Sequence, residues 1–142
     1  MDDFDRNVFI IRKIIGIGRK LLRTRKGDIA AYGPDLGISQ VEALVFLNAN
    51  PGADISTLSE YLGISHQGTR DMLGRLTKKG LAATRPSEAD KRARQIFLTD
   101  KGREICMDQK KRGAEIGAHL FGRLEEEQKD LLLSLLDRIS PE

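Results

Sequence analysis

Sulfur and imidazole ligands are scarce in this sequence, which contains one cysteine, Cys106, and two histidines, His66 and His119. A single cysteine excludes an intramolecular disulfide, and these three residues lack the spacing of a zinc site. We therefore expect no metal or other cofactor, and a reducing cytoplasm as the location. Cys106 lies beside Ile105 in a predicted helix, where a buried structural thiol is favoured over an oxidation sensor.

Long apolar runs and a basic leader are absent too. The first residues, MDDFDRNVFIIRK, open with acids, and no later stretch reaches the roughly 20 apolar residues of a membrane helix. This predicts a protein that is neither exported nor embedded in a membrane. We find no nucleophile with a partnered base, no paired catalytic carboxylates and no glycine-rich phosphate loop, so an enzyme is not expected.

Positive charge, in contrast, is concentrated in one segment. Residues 65–103 contain ten Lys or Arg and four Asp or Glu, a local net charge of +6, so the rest of this +3 chain carries −3. Such a distribution favours an acidic partner. The length of 142 residues and the hydrophobic content of 39% fit one domain with a real core.

Hydrophobic periodicity predicts a mainly α-helical chain with helices at both ends. The last of them has the strongly apolar sequence EEEQKDLLLSLLDRI, and Thr99 is expected to cap the long helix before it. The first, from about residue 4 to 26, carries two apolar stripes and is expected to bury both. A terminal helix can bury only one face against its own small domain, so the second stripe predicts a homodimer. The stripes are Ile10, Ile14, Ile17 and Leu21, and Val8, Ile11, Ile15 and Leu22.

Between these ends, turn and capping residues divide the chain into three shorter helices. Gly33, Pro34 and Gly37 separate the first helix from the second, which is expected over residues 40–48. A tight turn with a buried Ile64 joins the third helix to the fourth. Ser39 with Glu42 predicts a capping box at the start of the second helix, and Ser56 or Thr57 is expected to cap the third. Gly63 marks the tight turn, Ser65 is expected to cap the fourth helix, and Gly80 to end it.

The segments LAATR and RQIFLT flank a polar loop and predict a β-hairpin, with Ile96 and Leu98 on one face. Helix, tight turn, helix and basic hairpin in this order are typical of a winged helix-turn-helix. The second helix of that motif enters the DNA major groove, which is about as wide as a helix.

The outward face of the fourth helix follows from its buried stripe of Met72, Leu73 and Leu76. Gln67 and Arg70 are the candidates for base edges, because Gln pairs with adenine and Arg with guanine. Thr69 turns partly inward and is expected to pack. An ordinary solvated face is the alternative interpretation of the same pattern. The remaining outward residues are Asp71 and Gly74, with His66, Arg75 and Lys78 suited to bases or phosphates.

The hairpin tip carries Lys91, Arg92 and Arg94, which could reach a minor groove or its phosphates. Asp90 lies two residues before Arg92, and we expect its carboxylate to hold that guanidinium in place.

LSEYLGIS, RLTKKGLAATR, and above all DKR followed by IFLTDKG, resemble the MarR family of bacterial transcription regulators. The outer helices resemble that family in placement and apolar pattern. The resemblance implies one MarR-like domain over residues 1–142. Within it, residues 1–32 and 104–142 would form a helical dimerisation region, and residues 38–103 the winged helix-turn-helix.

The resemblance also implies a function. Members are homodimers that bind a pseudo-palindromic operator, usually as repressors, and a small phenolic or anionic effector often releases them. By position, residues 65–75, from Ser65 to Arg75, would form the recognition helix, Arg85 would close the first wing strand, and Asp90 with Arg92 would be the Asp-x-Arg wing pair. Ser39 and Gln40 would start the helix that approaches the DNA backbone.

Two departures from the family pattern affect the predicted site. Gly68 stands where the family often has a Thr. Arg70 stands where it often has a small or hydroxylic residue, and Asp71 where it often has an Arg. Asp71 could accept from a cytosine amino group, or pair with Arg75 one turn on. The alternatives to a repressor are an activator of the same fold, or a winged-helix protein-interaction module without DNA binding.

Overall fold

The computed structural model describes residues 1–33 and 35–140, so the predicted helix breaker Pro34 lies outside the described residues. A mainly helical chain with one small β-hairpin is confirmed. Two compact units are present, the first ending at Cys106 and the second beginning at Met107. The elements are α1 (Asp3–Ala30), α2 (Ile38–Ala49), α3 (Ile55–Leu62), α4 (His66–Lys78), β1 (Ala82–Pro86), β2 (Arg94–Leu98), α5 (Asp100–Leu120) and α6 (Glu126–Ile139).

The core of the first unit is built where α2, α3, α4 and the hairpin meet. Burying one large aliphatic side chain is worth about 1.5–3 kcal/mol, so these contacts hold the three helices and the hairpin together. Leu73 and Leu76 of α4 are buried as predicted. The largest fully buried side chains are Leu44, Leu47, Leu58, Leu76, Ile96, Val41 and Thr69.

The hairpin pairs β1 with β2 in antiparallel register, from Ala82 opposite Leu98 to Pro86 opposite Arg94. Ile96 and Leu98 face the core, as predicted. A further bridge extends the sheet, because Gly52 N donates to Ile96 O and Ile96 N donates to Ala53 O, both at 2.9 Å. The sequence did not reveal this bridge, since one paired residue leaves no alternating pattern.

The predicted capping box at Ser39 and Glu42 is wrong. Helix α2 begins at Ile38, with Gly37 in the N-cap position and no side-chain cap. The earlier start lets Ile38 pack against the core. Glu42 instead forms an ion pair with Arg25 of α1.

The predicted cap of α3 at Ser56 or Thr57 is also wrong, because Asp54 caps this helix. Asp54 Oδ1 accepts from both the N–H and the hydroxyl of Thr57, each at 2.8 Å. The hydrogen bond from the Thr57 N–H is the main reason why the pKa of Asp54 lies below its usual value. This cap makes Ile55 the first helical residue, where it packs against the core.

The tight turn after α3 is confirmed, since Gly63 has a φ of +66° and ends the helix in the left-handed conformation. Ile64, however, is 41% exposed, so its predicted burial is wrong. The turn directs Ile64 outward, next to the N-terminus of α4, where a Cβ on Gly68 would lie 3.7 Å from its Cδ1.

Thr99 caps α5 as predicted, and its Oγ1 accepts from Gly102 N at 3.2 Å. Cys106 is buried, as expected. Burial raises the pKa of the Cys106 thiol and so disfavours the reactive thiolate.

The two outer helices leave their apolar side chains largely exposed. In α1 only Ile29 is buried, so the expected burial of one stripe against the chain's own domain is wrong, and neither stripe is covered within the single chain. Residues Ile10, Ile11, Ile14, Ile15, Ile17 and Leu22 are 46–56% exposed. In the second unit, the described part of α6 has no buried residue. Its exposed apolar residues are Leu131, Leu133, Leu135, Leu136 and Ile139.

None of the helices within the described residues has the length and apolar character needed to cross a membrane.

Candidate nucleic-acid interface

The helix-turn-helix consists of α3, the turn at Gly63 and α4. Ser65 caps α4, and its Oγ accepts from Gly68 N at 3.0 Å. Ser65, His66 and Gln67 are all exposed at this end of the helix. The N-terminal turn of the predicted recognition helix is therefore open to a partner.

A buried hydrogen bond joins the two helices of the motif. Ser59 of α3 is 4% exposed, Thr69 of α4 is fully buried, and their hydroxyl oxygens lie 2.9 Å apart. Thr69 packs inward as predicted, but the sequence did not single out Ser59. Ser59 could have been found from its position next to Leu58, on the apolar side of a short helix.

The outer face of α4 matches its prediction from the buried stripe. Gln67, Arg70, Asp71, Arg75 and Lys78 are exposed. Within the described part of the chain, the three cations of this face take part in no ion pair. Their charge is available to an anionic partner.

Asp71 has a different partner from the one considered in the sequence. Gln67 Nε2 donates to Asp71 Oδ1 at 3.0 Å, one turn along α4. No ion pair between Asp71 and Arg75 occurs among the described residues. The alternative in which Asp71 pairs with Arg75 and aims it is therefore not borne out.

The wing tip is closed by its own backbone. Ser87 N donates to Ala93 O at 2.9 Å, and Ala93 N donates to Asp90 O at 3.0 Å. Asp90 Oδ1 accepts from the backbone N–H of Arg92 at 3.0 Å, so the predicted contact with the Arg92 guanidinium is not present. An Asp side chain readily reaches the N–H two residues on, which makes this the nearer donor.

The cations of the wing lie at its tip and at the adjoining end of β1. Lys91, Arg92 and Arg94 are exposed and form no ion pair in the region that the structure covers. Arg85 lies near the loop end of β1, opposite Gln95, with its guanidinium carbon 4.6 Å from the centre of the Phe97 ring. This cation–π contact restrains Arg85.

The start of α2 lies beside α4. Gln40 Oε1 accepts from Lys79 Nζ at 3.1 Å, and Lys79 also donates to the carbonyl of Asp35. Lys79 was not among the predicted site residues, although it follows α4 directly. Ser39, Gln40, Asp71 and Arg75 line one open cavity of about 690 Å³. The structure thus brings together the predicted backbone-approaching and recognition residues.

No cluster of three or more His, Cys, Asp or Glu side chains suited to a metal ion occurs among residues 1–33 and 35–140.

These elements define a winged helix-turn-helix, with an exposed cationic second helix and a basic hairpin. Residues 35–93 match the model of the MarR family. The HTH-type transcriptional regulator PetP of Rhodobacter capsulatus is 37% identical over 68 residues, which are 48% of this chain and 41% of PetP. The transcriptional regulator HosA of Escherichia coli O157:H7 is 27% identical over 106 residues, 75% of this chain and 78% of HosA.

The fold is shared with solved structures. A crystal structure of Streptococcus pneumoniae FabT in complex with DNA superimposes with a TM-score of 0.82, at 21% sequence identity, covering 96% of this chain and 94% of FabT. The chain is therefore similar to the MarR family of transcription regulators, whose family model matches residues 35–93, and it shares the fold of these structures.

Proposed function

We propose that this protein is a homodimeric repressor that binds a pseudo-palindromic DNA operator and is released by a small anionic or phenolic effector. The observation that carries the proposal is the set of exposed cations, free of ion pairs in the described structure, on α4 and the wing. Lys and Arg side chains in this state are suited to the phosphates that supply most of the affinity for DNA.

In this proposal α4 enters the major groove. Gln67 and Arg70, near its exposed N-terminal end, contact base edges, while Arg75 and Lys78 contact bases or phosphates. Lys91, Arg92 and Arg94 bring the wing to the minor groove, where the potential is negative. The relative FabT was crystallised with DNA, which supports the same kind of partner here.

The exposed apolar side chains of α1 and of α6 support a homodimer. Ile14 and Ile15 of α1 are 48% and 47% exposed, and Leu133 of α6 is 61% exposed. Apolar surface on this scale is typical of a protein–protein interface. We assign residues 1–32 and 104–142 to dimerisation, with two-fold symmetry setting the recognition helices about 34 Å apart.

The open cavity beside α4 supports control by a small molecule. It has apolar residues, such as Ile29 and Met72, together with the cationic side chains of Lys26 and Arg75. An anion with an aromatic ring fits this combination. Because the cavity borders the recognition helix, a ligand that favours a displaced α4 lowers DNA affinity through linkage.

Fluorescence anisotropy with the DNA upstream of the protein's own gene, and with a scrambled duplex, tests DNA binding. We expect tighter binding to the upstream DNA and weakening of both complexes as salt rises. Failure to bind any duplex in low-salt buffer would favour the alternative hypothesis of a winged-helix protein-interaction module without DNA binding. A reporter gene behind the bound sequence separates repression from activation. We also propose a cytoplasmic location, because that is where a bacterial regulator meets its DNA.

The effector is tested by thermal shift with benzoate and hydroxybenzoate. We expect either ligand to raise the melting temperature of the protein and to weaken its DNA complex. Lys26→Ala is the test variant, since Lys26 lines the cavity from α1 and is outside the predicted DNA contacts. We expect a smaller thermal shift in this variant than in the wild type. An equal thermal shift in this variant would argue against the cavity as the site.

A further inference from the structure

We propose that Asp71 is a positioning residue for sequence recognition: its carboxylate fixes the amide of Gln67 and so determines which base edge Gln67 can pair with. This inference rests on the proposed function, because it assumes that α4 reads DNA. It concerns the choice of sequence, whereas the proposed function concerns DNA binding itself.

The geometry carries a chemical assignment. Gln67 is the second residue of α4, and its side-chain amide lies 3.0 Å from Asp71 Oδ1. A carboxylate can only accept hydrogen bonds, so the amide group facing Asp71 is the nitrogen Nε2. The oxygen Oε1 and the second amide hydrogen remain for a base. One acceptor and one donor are what the major-groove edge of adenine requires.

Asp71 is an acid on a helix face that is otherwise suited to bind DNA. An acid on the outward face of a cationic helix repels phosphates, and it forms no ion pair with Arg75 in the described structure. A free Gln side chain has several rotamers and can present either end of its amide to a base. Anchoring the amide beforehand removes that ambiguity and reduces the entropy lost on binding.

Both side chains are exposed, so their hydrogen bond contributes little to folding. Variants at position 71 are therefore expected to fold. The matched pair is Asp71→Ala and Asp71→Asn. Both remove the negative charge and should strengthen binding to all DNA alike, but only Asn keeps a carbonyl oxygen that can accept from Gln67.

Selection from random DNA with wild type and with Gln67→Ala identifies the base pair whose identity no longer matters when Gln67 is removed. The ratio of Kd values for DNA with different base pairs at that position then measures the sequence preference of each variant. We expect Asp71→Ala to reduce this preference about three- to tenfold, the effect of leaving one side chain unordered before binding. Asp71→Asn should retain the wild-type preference. In a Gln67→Ala background the two variants should behave alike.

Unchanged preference in Asp71→Ala would overturn the inference while leaving DNA binding intact. A difference between Ala and Asn that persists in the Gln67→Ala background would also overturn it, because residue 71 would then contact the base itself. A readout without DNA is the side-chain amide signal of Gln67 in a ¹H–¹⁵N NMR spectrum. It should shift in Asp71→Ala, and an identical signal would contradict the anchoring whether or not the protein binds DNA.

Discussion

The hydroxyl groups of Ser59 and Thr69 meet 2.9 Å apart in the buried contact between α3 and α4. Each hydroxyl also contacts a backbone carbonyl one turn earlier in its own helix region. Ser59 Oγ lies 2.7 Å from Ile55 O, and Thr69 Oγ1 lies 2.9 Å from Ser65 O. Every polar atom of this small network therefore has a partner. The network holds the N-terminal part of α4 against α3.

Thr69→Val is expected to destabilise the protein by about 0.5–1.5 kcal/mol, because it removes one buried hydrogen bond while Ser59 keeps Ile55 O as a partner. Urea denaturation measures the change. Thr77→Val is the matched control, since Thr77 lies on the same helix and donates to Leu73 O at 2.8 Å but is exposed. Equal losses in the two variants would contradict a special role for the buried contact.

Gly102→Ala should destabilise the first unit by about 1–3 kcal/mol. A Cβ at this position would overlap the carbonyl oxygen of Leu81 and lie 3.4 Å from Leu98 Cβ. Gly74→Ala is the comparison, because nothing lies within 4 Å of its added Cβ and Ala is the better helix former. Thermal denaturation should show a lower melting temperature for the first variant and an equal or higher one for the second.

The Asp54 cap predicts a pH dependence of stability. The pKa of Asp54 is lowered in the folded protein from its ordinary value of 3.8, chiefly by the Thr57 N–H. The cap therefore contributes fully above pH 3.8 and is lost as the pH falls through the lowered folded value. Asp54→Ala should cost about 1 kcal/mol at pH 7 and progressively less in acid.

Urea denaturation between pH 7 and pH 2.5 follows this difference. Asp54→Ser is the control, because its hydroxyl can cap α3 but does not titrate in this range. A gap between wild type and Asp54→Ala that stays constant down to pH 2.5 would exclude the carboxylate as its source.

The proposed DNA contacts predict different effects for the wing and for α4. Arg92→Ala should weaken binding to all sequences and reduce the salt slope by about 1, since it removes one phosphate or groove charge. Gln67→Ala or Arg70→Ala should change the sequence preference instead, by about 1–3 kcal/mol at one position. Anisotropy titrations at several salt concentrations distinguish the two, and uniform effects from all three variants would contradict the assigned roles.

The proposed dimer interface is tested by placing a charge among the exposed apolar residues of α1. Ile14→Glu should give a monomer in sedimentation velocity at micromolar concentration and should weaken operator binding, since a monomer contacts one half-site. Lys13→Glu changes the neighbouring exposed position and should remain a dimer. A monomeric wild-type protein would refute the interface.

The sequence predicted most where a local rule acts alone. Ser65 as a cap, Gly63 at a tight turn and the alternation of Ile96 with Leu98 were all correct. The outward face of α4 followed from a helical period of 3.6 residues and a predicted inner stripe, of which Leu73 and Leu76 are buried and Met72 is partly buried. The family resemblance of the segment around the wing was confirmed by the match over residues 35–93.

Predictions failed where a local signal competed with packing. Ser39 is a good capping residue, yet α2 starts earlier because Ile38 joins the core. Asp71 could accept from Gln67 or Arg75, and Asp90 from the guanidinium or the backbone N–H of Arg92, and the spacing of residues cannot rank these donors. Only the positions of atoms in space decided that Asp71 faces Gln67 and that Asp90 faces a backbone N–H.

By itself the sequence determined the order of elements, the cationic segment and the apolar stripes, because these depend on the local backbone and on periodicity. The tertiary structure alone decided the Ser59–Thr69 contact, the bridge of Ala53 to Ile96 and the cavity beside α4. Each of these joins residues that are distant in the chain or needs a defined angle between helices. Packing of the whole core sets such distances and angles, and no short stretch of sequence records them.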